Sequence, residues 1–132
     1  MRARNKLFLA TAAVAATGAV FAGVAVAADP TDTTTAPYAQ AAVSVDASGN
    51  ATHRAGPVES VTKDGTGRYC ITLKSTVDVA RSVPVATLDN GANWNSEIYV
   101  SRGGGSCPAN SVRVTTATNG GVKDQPFNLL VP

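Results

Sequence analysis

His53 is the only histidine in the sequence, so any Ser-His-Asp or Cys-His catalytic scheme would have to use it. It lies beside Arg54, just after a predicted turn, and an adjacent cation does nothing to assemble a catalytic triad. The sequence also contains no G-x-S-x-G motif, the turn that presents a nucleophilic serine in many hydrolases. We therefore expect His53 to be exposed and non-catalytic, and we expect no enzymatic activity.

Cys70 and Cys107 are the only two cysteines, and they lie outside a C-x-x-C spacing. In an exported chain, which the N-terminal sequence described below indicates, such a pair is more typical of a disulfide than of a metal or redox site. A bridge between them would restrict the unfolded chain and stabilise the fold by about 4 kcal/mol. Two free thiols, or cross-links between chains, are the alternatives.

The remaining metal-ligating and acidic side chains do not form a recognisable site. A zinc site needs three or four ligands, which one histidine and two paired cysteines do not supply. A calcium loop beginning at Asp46 would have Ala51 where glycine is needed and Pro57 where glutamate is needed. We expect no metal and no cofactor.

The carboxylates considered as a catalytic pair are Asp64, Asp78, Asp89, Glu97 and Asp124. Most lie beside turn residues, where a short acidic side chain hydrogen-bonds to the backbone of its own turn. We therefore expect structural roles for them.

The sole tryptophan, Trp94, lies in the polar segment 89–96, DNGANWNS. An indole face flanked by Asn93 and Asn95 is typical of lectin-like sites, which stack on a sugar and hydrogen-bond its hydroxyl groups. Alternatively, the ring folds back as a plug over one end of the fold, because a large aromatic side chain gains more from burial than from exposure. We favour the plug. If the ring is exposed instead, Trp94, Asn93 and Asn95 are the candidate ligand-binding residues.

The N-terminus has the features of a secretory signal peptide, which covers residues 1–27. Arg2, Arg4 and Lys6 precede an uncharged apolar run, and Ala25-Val26-Ala27 forms an A-x-A cleavage signal. We expect cleavage after Ala27 or Ala28 and a secreted, extracellular protein. Without these three cations the formal charge of +2 becomes about −1, so we expect no nucleic-acid partner and no membrane association after cleavage.

The elements that must position these side chains are strands. After residue 27 the chain is rich in Ser, Thr, Gly and Asn and has thirteen Val but only four Leu, a composition typical of strands and turns. We expect residues 28–40 to form a flexible Thr/Pro-rich leader and residues 41–132 to form one domain. We expect an all-β fold, a small antiparallel β-sandwich or partly open barrel of about 7–8 strands. The predicted strands are 41–46, 51–55, 57–63, 68–74, 83–88, 97–102, 111–118 and 127–131.

Three sequence segments are similar to those of a known group. They are 65–73 (GTGRYCITL), 112–116 (VRVTT) and 124–131 (DQPFNLLV), with Val85-Ala86-Thr87 as a middle strand. The pattern resembles one in uncharacterised secreted bacterial proteins and in C-terminal modules of phage tail-fibre and collagen-like proteins. The resemblance implies a β-domain over residues 43–131 and no catalytic or binding residues. Those relatives often pair a middle-strand cysteine with one at the C-terminus, whereas this chain has Cys70 and Cys107.

These observations together predict a secreted, non-catalytic β-sandwich module for extracellular binding or surface structure. Its partner would be an extracellular ligand, a glycan or a protein. Two alternatives are a carbohydrate-binding module that uses the Trp94 loop and a protease inhibitor that presents the loop Ser101–Pro108. A small hydrolase would require a convergent pair of carboxylates.

Overall fold

The structure is a computed structural model, and it describes residues 36–132. The predicted signal peptide and residues 28–35 of the predicted leader lie outside the described residues. The described chain contains nine strands and one turn of 3-10 helix, Val79–Arg81. The strands are β1 Ala41–Val45, β2 Ala51–Ala55, β3 Val58–Gly65, β4 Arg68–Leu73, β5 Val85–Leu88, β6 Ser96–Arg102, β7 Ser111–Thr118, β8 Gly121–Val122 and β9 Phe127–Val131.

The strands form two antiparallel sheets that face each other. The first sheet has the order β2-β1-β9-β5, and the second has the order β3-β4-β7-β6, with β8 beside the end of β7. The prediction of a small all-β sandwich is confirmed, and the sheets do not close into a barrel. The ninth strand is the two-residue β8, which follows the Asn119-Gly120 turn and was not predicted.

Proline placement explains where β5 begins. Pro84 has no N–H to donate to a neighbouring strand, and β5 starts at the next residue, Val85, on the edge of the first sheet. This agrees with the expectation that the segment 83–88 lies at an edge or a bulge.

The core lies between the sheets and is formed by alternate residues of each strand. Tyr69, Ile71 and Leu73 of β4 are buried, as are Phe127, Leu129 and Val131 of β9, so the predicted apolar faces of both strands are confirmed. The rings of Tyr69 and Phe127 are 5.0 Å apart between centroids and tilted by 59°. Each large apolar side chain buried in this way stabilises the fold by about 1.5–3 kcal/mol.

The predicted disulfide between Cys70 and Cys107 is confirmed, with 5.4 Å between the two Cα atoms. Cys70 lies on the outer face of the second sheet, and the bridge fastens the β6–β7 loop over it. Ser106 of this loop donates a hydrogen bond to Asp64, whose other oxygen is 3.6 Å from an Arg113 nitrogen. We call residues 103–110 the stapled loop.

The segment Lys123–Pro126 carries the chain from the second sheet back to the first. The backbone N–H of Gly67 donates to Oδ1 of Asp124 at 2.6 Å, and Lys63 Nζ is 2.5 Å from Oδ2. A Cβ at Gly67 would overlap the backbone of Thr116 and Lys123, so only glycine fits this approach. Segments 65–73 and 124–131, which carry the sequence resemblance, are therefore in contact. This contact connects the β3–β4 hairpin to the chain that leads into β9.

Candidate functional site

The loop Asp89–Asn95 connects β5 of the first sheet to β6 of the second, and it holds Trp94 in solvent. The Trp94 side chain is 93% exposed, so the prediction that it plugs one end of the sandwich is wrong. Gln125 is 2% exposed and bonds to this loop; its Oε1 accepts from the Asn93 N–H at 3.0 Å, and its Nε2 donates to Thr118 Oγ1 at 2.9 Å. In this part of the molecule the buried side chain is therefore the amide of Gln125 and not the indole of Trp94.

The backbone of this loop is held at four further points. Asp89 accepts the Gly91 N–H with its side chain at 3.1 Å and the Ala92 N–H with its carbonyl at 2.9 Å. Its own N–H donates to the Pro126 carbonyl at 3.0 Å. At the other end, the Asn95 carbonyl accepts the Asn119 N–H at 3.2 Å. The loop is therefore anchored on both sides while its largest side chain contacts little of the protein, and we call it the Trp94 loop.

The structure places the three sequence-predicted residues side by side on this loop. Asn93 and Asn95 are exposed on either side of Trp94, and Asn95 adopts the left-handed conformation with a φ of 62°. Asparagine tolerates that conformation better than most residues, which explains its presence at the turn into β6. A shallow concavity is lined by Leu88, Asp89, Asn90, Ala92, Asn93, Trp94, Asn95 and Ser96. An aromatic face is thus surrounded by amide groups that both donate and accept hydrogen bonds.

A second exposed aromatic ring lies on β6, the strand that follows the Trp94 loop. Tyr99 of β6 is 61% exposed, and its hydroxyl donates to Glu97 Oε2 at 2.8 Å. That carboxylate raises the pKa of Tyr99 above its usual value. Tyr99 is not among the residues that line the Trp94 concavity.

His53 is exposed on β2, directly opposite Ser44 of β1. The Ser44 hydroxyl donates to Oδ1 of Asn128 at 2.6 Å, so its proton is directed to the amide and not to the imidazole. The Asn128 amide in turn donates to Asp89 Oδ2 at 3.3 Å. This line of polar groups could not be predicted from the sequence, because it depends on the pairing of β1 with β9, two strands at opposite ends of the domain.

Of the five carboxylates considered as a catalytic pair, four have separate partners, and the fifth, Asp78, is exposed at the start of the 3-10 turn. Asp64 bonds to Ser106, Asp89 to the Gly91 N–H, Glu97 to Tyr99 and Asp124 to Lys63. The Lys63 ammonium and the Gly67 N–H hold the pKa of Asp124 below its usual value. Within residues 36–132 no group of three or more His, Cys, Asp or Glu side chains could hold a metal ion.

The candidate inhibitory loop, Ser101–Pro108, consists of the last two residues of β6 and most of the stapled loop. Gly103, Gly104 and Gly105 have φ values of 68°, 104° and 59°, a conformation that side chains rarely adopt. Ligands that bind as an added strand are extended and alternate side chains into pockets. This loop is neither extended nor able to present side chains at its three glycines, so its conformation gives no support to the inhibitor alternative.

Comparison of the chain with protein-family models, with curated proteins and with solved structures gives no match. In the part of the chain that the structure describes, no helix has the length and apolar character needed to cross a membrane.

Proposed function

We propose that the protein is a secreted, non-catalytic β-sandwich module that binds a neutral carbohydrate through the Trp94 loop. The observation that carries this proposal is the 93% exposure of Trp94 on a loop whose backbone is fixed by hydrogen bonds. Exposing a whole indole forgoes the free energy of burying it, about 1.5–3 kcal/mol for a large apolar side chain. A ligand that covers the ring recovers this free energy.

The chemistry around the ring favours a sugar over other ligands. The face of a pyranose ring carries C–H groups that stack on an aromatic ring, and its hydroxyl groups both donate and accept hydrogen bonds, as Asn93 and Asn95 do. None of the residues that line the concavity is a lysine or arginine, so nothing there attracts a phosphate or carboxylate. A fixed loop also loses little conformational entropy when it binds.

Secretion is part of the proposal and rests on the signal-like N-terminus together with the disulfide. Disulfides persist in oxidising compartments and are rare in the cytosol. An extracellular module would encounter glycans of the cell surface or the surroundings. Its partners would then be polysaccharides, and no nucleic acid or membrane is required.

The proposal is tested by fluorescence titration of the exported protein with the neutral oligosaccharides cellohexaose and chitohexaose. We expect emission near that of free tryptophan, ready quenching by iodide, and protection from iodide by at least one glycan. Trp94→Ala should weaken that binding at least tenfold, about 1.4 kcal/mol, measured by calorimetry. Tyr99→Ala removes an exposed ring outside the concavity and should not weaken it.

Two results would reject the proposal. The first is blue-shifted emission that iodide does not quench, because the ring would then be buried. The second is equal affinity of the wild-type protein and Trp94→Ala for every glycan that binds.

A further inference from the structure

The outer face of the first sheet carries two contrasting rows of side chains. The strand register aligns Val85 of β5 with Leu130 of β9, and Leu130 with Ala42 of β1. Two residues further along, the register aligns Thr87, Asn128, Ser44 and His53 of the four strands. The first row is entirely aliphatic and the second entirely polar, and both rows run across the strands.

A groove separates these two rows. Its lining includes both rows together with Val43 and Leu129, whose own side chains belong to the core. Val85 is 57% exposed and Leu130 is 41% exposed. In an antiparallel sheet with one face in the core, the other face is commonly polar, so an aliphatic row beside a groove there is a candidate binding surface.

The area of this sheet face limits the size of the partner that it could bind. Four strands about 4.8 Å apart and about five residues long cover roughly 300 Å². A stable protein interface covers about 800 Å² on each partner, so this face alone is too small to hold a second copy of the chain. The aliphatic row from Val85 to Ala42 spans about 10 Å, the length of an extended alkyl chain of about eight carbons.

The charge and the side-chain types of the groove lining indicate which class of ligand the groove can bind. His53 is the only titratable side chain among the lining residues, and Ser44, Thr87 and Asn128 offer neutral hydroxyl and amide groups. No aromatic side chain other than this imidazole lines the groove, so the stacking proposed for the Trp94 loop is not offered here. The lining matches a neutral molecule that has an aliphatic side and a polar group.

We propose that this groove is a second binding site, which takes a short linear alkyl chain that bears an uncharged polar group. The alkyl chain lies across the strands against Val85, Leu130 and Ala42. The polar group hydrogen-bonds to Thr87, Asn128 or His53. This site does not depend on sugar binding at Trp94.

The test uses 1-hexanol, 1-octanol and 1-decanol as probes of the exported protein, followed by NMR of the methyl groups. We expect shifts of the Val85 and Leu130 methyl signals, and affinity that rises by up to about fourfold for each added CH2 and levels off beyond about eight carbons. Octanoate and octylammonium should bind at least threefold more weakly than 1-octanol, because their charges would lose hydration in a groove whose lining contains no carboxylate, lysine or arginine.

A matched pair of variants locates the site. Val85→Thr and Val83→Thr change two exposed valines on either side of Pro84, of which only Val85 lines the groove. Threonine is β-branched and keeps the strand preference of valine. We expect Val85→Thr to weaken 1-octanol binding at least threefold, Val83→Thr to leave it unchanged, and Trp94→Ala to leave it unchanged.

Several outcomes would overturn the proposal. Equal weakening by the two valine variants would mean non-specific binding to exposed aliphatic side chains. Affinity that keeps rising beyond eight carbons would also mean non-specific binding, because a groove of fixed length could not contact the added carbons. Loss of 1-octanol binding in Trp94→Ala would place the alcohol on the indole. A dimer in sedimentation equilibrium that 1-octanol dissociates would make this face an interface between copies.

Discussion

The two loops that flank β6 are both held firmly, but by different means and with different results. The Trp94 loop, before β6, is anchored by hydrogen bonds that its backbone makes with Gln125, Asp89 and Asn119, and it presents an indole to solvent. The stapled loop, after β6, is anchored by the disulfide and presents three glycines with positive φ. The hydrogen-bonded loop leaves its largest side chain in solvent, whereas the stapled loop covers part of its own sheet.

This difference shows how rigidity and exposure can be combined. A disulfide fixes a loop whatever side chains the loop carries, so the stapled loop can lie flat over Cys70 and Arg113. The Trp94 loop has no covalent anchor. It depends instead on the buried amide of Gln125, which accepts a hydrogen bond from the backbone N–H of Asn93. Changes to the two anchors should therefore separate stability from binding.

The largest expected effect is the loss of the disulfide. Replacing Cys70 and Cys107 together by alanine should lower the free energy of unfolding by about 4 kcal/mol, because the unfolded chain regains loop entropy. Denaturant unfolding measures this change. Under native conditions the emission of Trp94 and its quenching by iodide should stay as in the wild-type protein. A change in that quenching would show that the two loops are coupled across β6.

Gln125→Ala should have the next largest effect, and it should act on the Trp94 loop. The change leaves the Asn93 N–H and the Thr118 hydroxyl without the partner that they have now, which costs about 1–3 kcal/mol of stability. Hydrogen exchange of the Asn93 amide should speed up, and glycan affinity should fall because the loop is less ordered before binding. Unchanged exchange at Asn93 would contradict the role given to Gln125.

The smallest expected effect is that of Asp124→Asn, and it should depend on pH. Asp124 is next to Gln125 but bonds to the β3–β4 hairpin, so the variant should lose about 1 kcal/mol at pH 7 without altering Trp94 quenching. Its folded-state pKa is lowered, so this stabilisation is complete above the unfolded value of about 3.9 and is lost as pH falls through the folded-state pKa.

Unfolding of the wild-type protein and of Asp124→Asn from pH 7 to pH 2 checks this dependence. The difference between the two should shrink toward zero in acid, because a protonated Asp124 carries the same charge as asparagine. A difference that stays constant over this range would mean that the Lys63–Asp124 pair contributes nothing measurable. In that case the segment Lys123–Pro126 would be held by uncharged contacts alone.

Much of the fold was predictable because its signals are local. Alternation of apolar and polar residues identified the buried faces of β4 and β9, and Gly and Asn residues marked the turns between strands. The two-residue β8 was missed because a strand this short has no alternation to detect. Of the candidate site, the three residues Asn93, Trp94 and Asn95 were identified, but the favoured burial of Trp94 was wrong because nothing local reveals that Gln125 supports that loop.

The sequence by itself determined the all-β class, the turn positions, the disulfide partners and the polar setting of Trp94, because these follow from residue types and short-range spacing. Only the tertiary structure decided that Trp94 is exposed and that Val85, Leu130 and Ala42 form a row beside Thr87, Asn128, Ser44 and His53. Those features depend on which strands become neighbours. That choice is set by how the whole core packs, since a shift of one residue in register would turn each of these side chains to the opposite face.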